Sequence, residues 1–181
     1  MAAGKSELRE LARQIDLRGA DLPDSADLVA FVAQNLPQGK FLASYSAIGS
    51  EIATEPVNSA LDRVVFPTVE AGSERLTWRQ GPPTVISSLG FSQPAQNKPT
   101  VEVSNIGLVL VPGLLFTMTG QRLGRGGGFY DRFLEDLTPD ILTIGMPMSS
   151  DHIVEELSVE THDVSVTHLF LGGQVVVVES A

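Results

Sequence analysis

The chain has 181 residues, 43% of them apolar and 19% charged, the composition of a globular chain and not of a disordered one. It contains no cysteine, which excludes a thiol nucleophile, a disulfide framework, an iron–sulfur cluster and a thiolate zinc site. A formal net charge of -10 argues against general binding to nucleic acid or to anionic membranes, so an anionic small ligand would need a local cluster drawn from only 12 Lys and Arg.

The length suits one α/β domain spanning residues 1–181. The longest apolar run, from Ile106 to Phe116, is broken by Pro112 and Gly113 and falls short of the ~20 residues of a membrane span. The first residues turn charged at Lys5 without the apolar core of a signal peptide, and Glu7, Glu10 and Asp16 speak against a transit peptide. A cytoplasmic monomer is the expectation.

Residues 5–18 form the first expected helix, with Leu8, Leu11 and Ile15 as its apolar stripe. Lys5, Arg9 and Arg13 share another face, which is either solvated or able to meet a phosphate. Asp24 or Ser25 caps a second helix running to about Leu36, where Pro37 and Gly39 end it. Lys40 to Tyr45 reads as a short buried strand. Ser50 is placed to cap a third helix from Glu51 to about Leu61, with Pro56 in its early turns.

Arg63 to Pro67 is a strand ended by its proline, and Arg75 to Arg79 alternates like a half-buried strand. Residues 80–100, with Pro82, Pro83, Pro94 and Pro99, are expected to form a long loop. Gly107 to Val111 is apolar throughout, as a central strand covered on both faces would be. A glycine-rich loop follows, then a helix from about Phe129 to Leu137. Further expected elements are a strand from Ile141 to Met146, a short helix from Asp151 to Glu156 and strands from Val164 to Phe170 and Val175 to Val178, the last two joined by Gly172-Gly173. The alternation implies a largely parallel central sheet with helices on both faces.

The stretch Gly120 to Leu134 (GQRLGRGGGFYDRFL) carries the chemistry. It follows a buried strand, where loops of open α/β sheets bind ligands. Gly124, Gly126, Gly127 and Gly128 allow close approach of backbone, and their N–H groups suit an anion. Arg122, Arg125 and Arg132 offer planar, bidentate donors to phosphate. Asp131 is a natural Mg²⁺ ligand beside such a phosphate. Phe129 and Tyr130 offer flat surfaces for a heteroaromatic ring. The pattern is neither a Walker A loop nor a dinucleotide fingerprint. The histidines His152, His162 and His168 have no recognised metal spacing, and Trp78 and Tyr45 read as core or pocket-wall residues.

The run VPGLLFTMTGQRLGRGGGFYDRFL resembles the signature of the 5-formyltetrahydrofolate cyclo-ligase family, also called methenyltetrahydrofolate synthetases, with Phe129 in place of a Tyr. Other parts match in order: Lys5 with Arg9, Glu51-Ile-Ala-Thr54, Pro67, and His162-Asp163-Val164. Two positions depart from the family pattern. Gln93 stands for a Glu, and Thr167 or His168 stands where a late Asp is usual.

The resemblance implies ATP-dependent conversion of 5-formyltetrahydrofolate to 5,10-methenyltetrahydrofolate, with Mg²⁺ as cofactor and small molecules as partners. It implies that Lys5 and Arg9 hold ATP phosphates and that the run Arg122, Leu123, Gly124, Arg125, Gly126, Gly127, Gly128, Phe129 and Tyr130 wraps the triphosphate. Glu51 would bind the pterin. Arg125 through Phe129 would line the junction of the two substrates, with Arg125 and Arg122 serving catalysis. Asp131 would hold Mg²⁺, with Asp163 a second metal candidate. The competing expectations are a non-catalytic nucleotide- or folate-binding module of the same fold and a different phosphoryl-transfer enzyme.

Overall fold

The computed structural model describes residues 4–15, 24–49, 51–158 and 163–179. Its framework is one sheet of eight strands: β1 (Phe41–Ala43), β2 (Val64–Thr68), β3 (Thr77–Gln80), β6 (Thr100–Val101), β7 (Ile106–Val111), β10 (Leu142–Gly145), β11 (His168–Leu171) and β12 (Gln174–Val177). The strand order is β12-β11-β10-β7-β1-β2-β3-β6. The five strands from β11 to β2 pair in parallel, while β3, β6 and β12 add antiparallel edges.

β7 lies at the middle, and all six of its residues are buried. Its alternate side chains supply two separate cores. Val109 and Val111 face Phe133 and Leu134 of helix α4 (Phe129–Glu135). Leu108 and Leu110 face Leu28 and Val32 of helix α2 (Ala26–Asn35) and Val57 of helix α3 (Glu55–Ala60). Burial on both faces explains why the strand is apolar at every position.

A third, smaller core joins helix α1 (Lys5–Gln14) to a hairpin of β8 (Leu115–Phe116) and β9 (Arg122–Leu123) through Ala12, Leu114, Leu115 and Leu123. The stripe that α1 buries is Leu8, Ala12 and Ile15, whereas Leu11 is 53% exposed. Leu11 belongs to the same broad face by spacing, but a two-stranded hairpin covers only a narrow part of it.

The structure corrects several expected elements. Helix α3 begins at Glu55 after Thr54, so Glu51 is not helical. Residues 80–100 are not one loop: β4 (Val85–Ile86) and β5 (Ser92–Gln93) form a hairpin, and β6 joins the sheet edge. Strands of two residues are too short to show a period. Pro67 does not end β2, which continues to Thr68 beside the antiparallel β3. The short helix expected at 151–156 is a single 3₁₀ turn, Ser150–His152. Ser50, His162 and the expected helical residues 16–18 lie outside the described residues.

Candidate functional site

β1 leads outward to β2 and β3, whereas β7 leads the opposite way to β10 and β11. The carboxyl ends of β1 and β7 therefore form a switch point, the place where open α/β sheets bind ligands. A cavity of about 590 Å³ opens there. Its floor includes Pro112 and Gly113 after β7, and one wall is Tyr45, Ser46, Ile48 and Glu51 after β1. The opposite wall is the loop Gly124 to Gly128 with the first turn of α4, and Lys5 and Arg9 reach in from α1. Every expected ATP-, substrate- and metal-binding residue lines this one cavity: Lys5, Arg9, Glu51, Arg122 through Asp131, and Asp163.

The glycine-rich loop owes its path to contacts that side chains would obstruct. Gly126 and Gly128 have φ of 102° and 67°, which L residues rarely adopt. A Cβ on Gly124 would stand 2.6 Å from Arg122 Nη1, and one on Gly127 would stand 2.8 Å from the Phe129 ring. Gly128 is the N-cap of α4, so the left-handed residue turns the loop into the helix.

Most charged groups in the cavity meet an opposite charge from the protein. Lys5 Nζ lies 2.8 Å from Asp163 Oδ2. Arg122 donates from Nη2 to Asp131 Oδ1 at 2.5 Å, and Arg125 donates from Nε to Glu51 Oε1 at 2.9 Å. Arg9 donates from Nε to the Gly124 carbonyl at 3.0 Å, tying α1 to the loop. Four cations thus face three carboxylates, leaving one net positive charge.

These cations differ in burial. The Arg122 side chain is only 4% exposed, its Nη1 is 3.4 Å from the Pro112 carbonyl and its guanidinium lies 5.8 Å from the centre of the Tyr130 ring. It stands beneath the loop, whereas Arg125 is 44% exposed. Arg13 and Arg132, grouped by spacing with the site cations, do not line the cavity. Arg13 pairs with Glu10 in solvent, and Arg132 donates to the carbonyls of Glu74 and Gly127 while its guanidinium lies over Phe129.

Tyr130 lines the cavity, and its hydroxyl is buried without a hydrogen-bond partner. Burial, reinforced by the charge of Glu51, pushes its pKa far above the usual phenol range, so it remains a neutral donor. Tyr45 is likewise pushed up by burial and donates to the Ile52 carbonyl at 2.9 Å. Trp78 is core and packs on Phe133 with ring centres 4.6 Å apart.

Sequence reasoning missed the apolar half of the cavity: Val69, Leu76, Leu89 and Phe91. Leu89 and Phe91 come from the β4–β5 hairpin, and the clue was the segment Gly90-Phe91-Ser92-Gln93-Pro94. The two departures from the family pattern lie outside the lining. Gln93 is buried, and its Oε1 accepts from the Val69 amide at 3.0 Å. Thr167 exchanges hydrogen bonds with Thr143, binding the start of β11 to β10. His152 and His168 are not in the lining, and no group of three metal-ligating side chains occurs among the described residues. No helix among the described residues is long and apolar enough to cross a membrane.

The chain is similar to known proteins along most of its length. A family model described as the 5-formyltetrahydrofolate cyclo-ligase family matches residues 6–172. A Mycolicibacterium smegmatis protein named 5-formyltetrahydrofolate cyclo-ligase is 29% identical over 142 residues, covering 72% of this chain and 73% of its own length. A Haemophilus influenzae protein of the same name is 26% identical over 145 residues, covering 75% and 77%. The NMR structure of Aquifex aeolicus 5,10-methenyltetrahydrofolate synthetase superposes with a TM-score of 0.75 at 22% identity, covering 98% of this chain and 94% of that one, a likeness of fold. The Mycoplasma pneumoniae 5,10-methenyltetrahydrofolate synthetase gives a TM-score of 0.69 at 25% identity, covering 93% and 98%.

Proposed function

Because the chain belongs to the 5-formyltetrahydrofolate cyclo-ligase family, we propose that it converts 5-formyltetrahydrofolate and ATP to 5,10-methenyltetrahydrofolate, ADP and phosphate. It is a ligase of one-carbon metabolism. The observation that carries the ATP-dependent reading is the convergence of Lys5, Arg9, Arg125 and the Gly124–Gly128 loop on one cavity at the switch point of the sheet.

The reaction must remove an oxygen that leaves poorly as hydroxide. Transfer of the γ-phosphoryl group to the formyl oxygen breaks the terminal P–O bond of ATP and forms an O–P bond on the folate. N10 then attacks the formyl carbon and gives up its proton, which closes the five-membered ring, and the C–O bond breaks with release of phosphate. Such a path asks the protein for alignment and charge neutralisation, not for a nucleophile. In this reading Lys5 and Arg9 hold phosphates from α1, while Arg125 neutralises the phosphoryl group in flight. Arg122 sets the floor beneath the loop and adds its field to the phosphate side. The loop amides approach the triphosphate, with the Tyr130 ring beside them in the lining. Glu51 accepts from pterin N–H groups, with Leu89 and Phe91 covering the apolar part of the folate.

Mg²⁺ fits the donor set. Asp131 places one carboxylate in the cavity, and Mg²⁺ is usually held by one or two carboxylates together with substrate phosphates. The charge balance favours the same conclusion: a bare triphosphate would meet three carboxylates as well as four cations. Asp131 would hold the ion, with Asp163 the second candidate, and the ion would neutralise charge on the phosphates.

The test is to mix the full chain with 5-formyltetrahydrofolate, ATP and Mg²⁺ and follow the near-ultraviolet absorbance of the methenyl product. A rise that requires all three supports the proposal. No rise from folded protein that still binds ATP refutes it in favour of a non-catalytic module or another phosphoryl transfer. The positions of Gln93 and Thr167, both outside the lining, support turnover over binding alone. We further read the enzyme as a cytoplasmic monomer, the latter checked by sedimentation.

A further inference from the structure

The Arg125–Glu51 pair differs from the other ion pairs of the cavity. Lys5–Asp163 joins α1 to the residues before β11, and Arg122–Asp131 lies beneath one loop. Arg125 and Glu51 instead join the glycine-rich loop to the wall built after β1. The contact is a closed ring. Arg125 donates from Nε to Glu51 Oε1 at 2.9 Å and from Nη2 to the Ile48 carbonyl at 2.7 Å. The Ile48 amide donates to Glu51 Oε2 at 2.9 Å. The Glu51 side chain is 7% exposed while that of Arg125 is 44% exposed.

In this state both oxygens of Glu51 accept from the protein, and two nitrogens of Arg125 are committed to it. A guanidinium is a donor only and a carboxylate an acceptor only. A phosphate that takes the Nε–Nη2 edge of Arg125 competes with Glu51 and the Ile48 carbonyl, and an N–H-rich heterocycle that takes Oε1 of Glu51 competes with Arg125. A ligand that takes either of these positions would open the pair and release the group that the second ligand needs.

We propose that the Arg125–Glu51 ion pair is a self-occupying contact whose opening couples the nucleotide and folate half-sites, so that each ligand binds more tightly when the other is present. The inference rests on the folate reading of the cavity. Thermodynamic linkage requires the two effects to be equal, because the same broken contact is shared. The exposed arginine is the moving partner, since Glu51 is fixed by the Ile48 amide and Arg125 stands on a loop open to solvent. The device disfavours half-filled states, in which ATP sits in the cavity without an acceptor other than water.

The experiment is titration calorimetry on the wild-type chain with 5-formyltetrahydrofolate and with the Mg²⁺ complex of a β,γ-imido ATP analogue. Each ligand is titrated alone and again on protein saturated with the other. Each Kd is expected to fall by about fivefold or more, by the same factor in both directions. Glu51→Gln keeps the shape but weakens the pair. It is expected to bind the nucleotide analogue alone more tightly than wild type and to lose the coupling. A residue that only contacted folate would not produce that gain. Arg125→Ala is expected to lose the coupling while binding folate alone at least as well as wild type.

Wild-type affinities that do not depend on the other ligand would overturn the coupling and leave the enzyme reading standing. Folded Glu51→Gln with no gain for the nucleotide would do the same. Failure of the wild type to bind the folate at all would overturn both.

Discussion

Loss of the Asp131 carboxylate should destabilise the protein before any metal is considered. In Asp131→Ala the Arg122 guanidinium, whose side chain is 4% exposed, would keep, among the described residues, only the Pro112 carbonyl at 3.4 Å and the Tyr130 ring at 5.8 Å. Removing one partner of a buried pair costs ~3–5 kcal/mol because the remaining charge is uncompensated. Asp131 is 26% exposed and borders the cavity, so water can partly replace it, and the expected cost falls to about 2–3 kcal/mol. For a chain of this length each kcal/mol lowers the melting midpoint by about 2–4 °C, so the variant should melt about 5–10 °C lower. Circular dichroism melts without nucleotide or Mg²⁺ measure this directly. Asp131→Asn, which keeps an acceptor, should lose about 1 kcal/mol. The double variant Arg122→Met with Asp131→Ala should regain most of the loss, because no buried charge is then left alone. An Asp131→Ala midpoint within about 1 °C of wild type would refute the reasoning, since Arg122 would then not depend on that carboxylate.

Further outcomes are expected elsewhere. Arg125→Ala should lose turnover by about 1,000-fold or more, the scale of removing an arginine that stabilises phosphoryl transfer; the fold should be retained with a lowered melting midpoint, because the Glu51 side chain, 7% exposed, loses its charged partner, and normal turnover in a coupled assay would remove this loop from the mechanism. Gly128→Ala should cost about 1–2 kcal/mol from the left-handed backbone, and its Cβ would also press on Arg132 Nη1 from 2.6 Å; a chemical denaturation midpoint equal to that of wild type would contradict this. Burial lowers the pKa of His152, whose Nε2 is buried without a partner, below the ordinary histidine value of about 6.5. The unfolded chain then binds the proton more readily, so stability from this site is full above about pH 6.5 and declines as pH falls through the depressed value. His152→Phe should flatten the pH dependence of stability just below that point, and an unchanged profile would exclude His152 as its source. Lys5→Ala and Arg9→Ala should raise the KM for ATP more than that for the folate, which initial-rate kinetics at varied ATP will test.

Much of this protein follows from its local sequence. The apolar run Gly107 to Val111 identified the central strand because a strand covered on both faces has no polar side. The glycines and cations of Gly120 to Leu134 marked the loop because left-handed backbone and close approach exclude most other residues. Asp24, Pro37 and Gly39 bounded α2 closely, since caps and breakers act within a turn, and the Ala26 amide donates to Asp24 Oδ1 at 3.0 Å. Other features depended on residues distant in sequence. Spacing alone grouped Lys5, Arg9 and Arg13, but only the packing of α1 on the β8–β9 hairpin sends Lys5 and Arg9 into the cavity and leaves Arg13 in solvent. The same docking exposes Leu11 and buries Ala12. The hairpin within residues 80–100 is held by two pairs of residues, and Leu89 and Phe91 reach the cavity wall from it while Gln93 anchors its base to Val69. Charge partners are tertiary in the same sense. Local spacing was enough to place arginines and a carboxylate in and beside the glycine-rich loop. The fold alone decided that Arg122 is buried against Asp131 while Arg125 meets Glu51 across 74 positions of chain, because an ion pair depends on where strand ends converge and not on how far apart its members lie along the backbone.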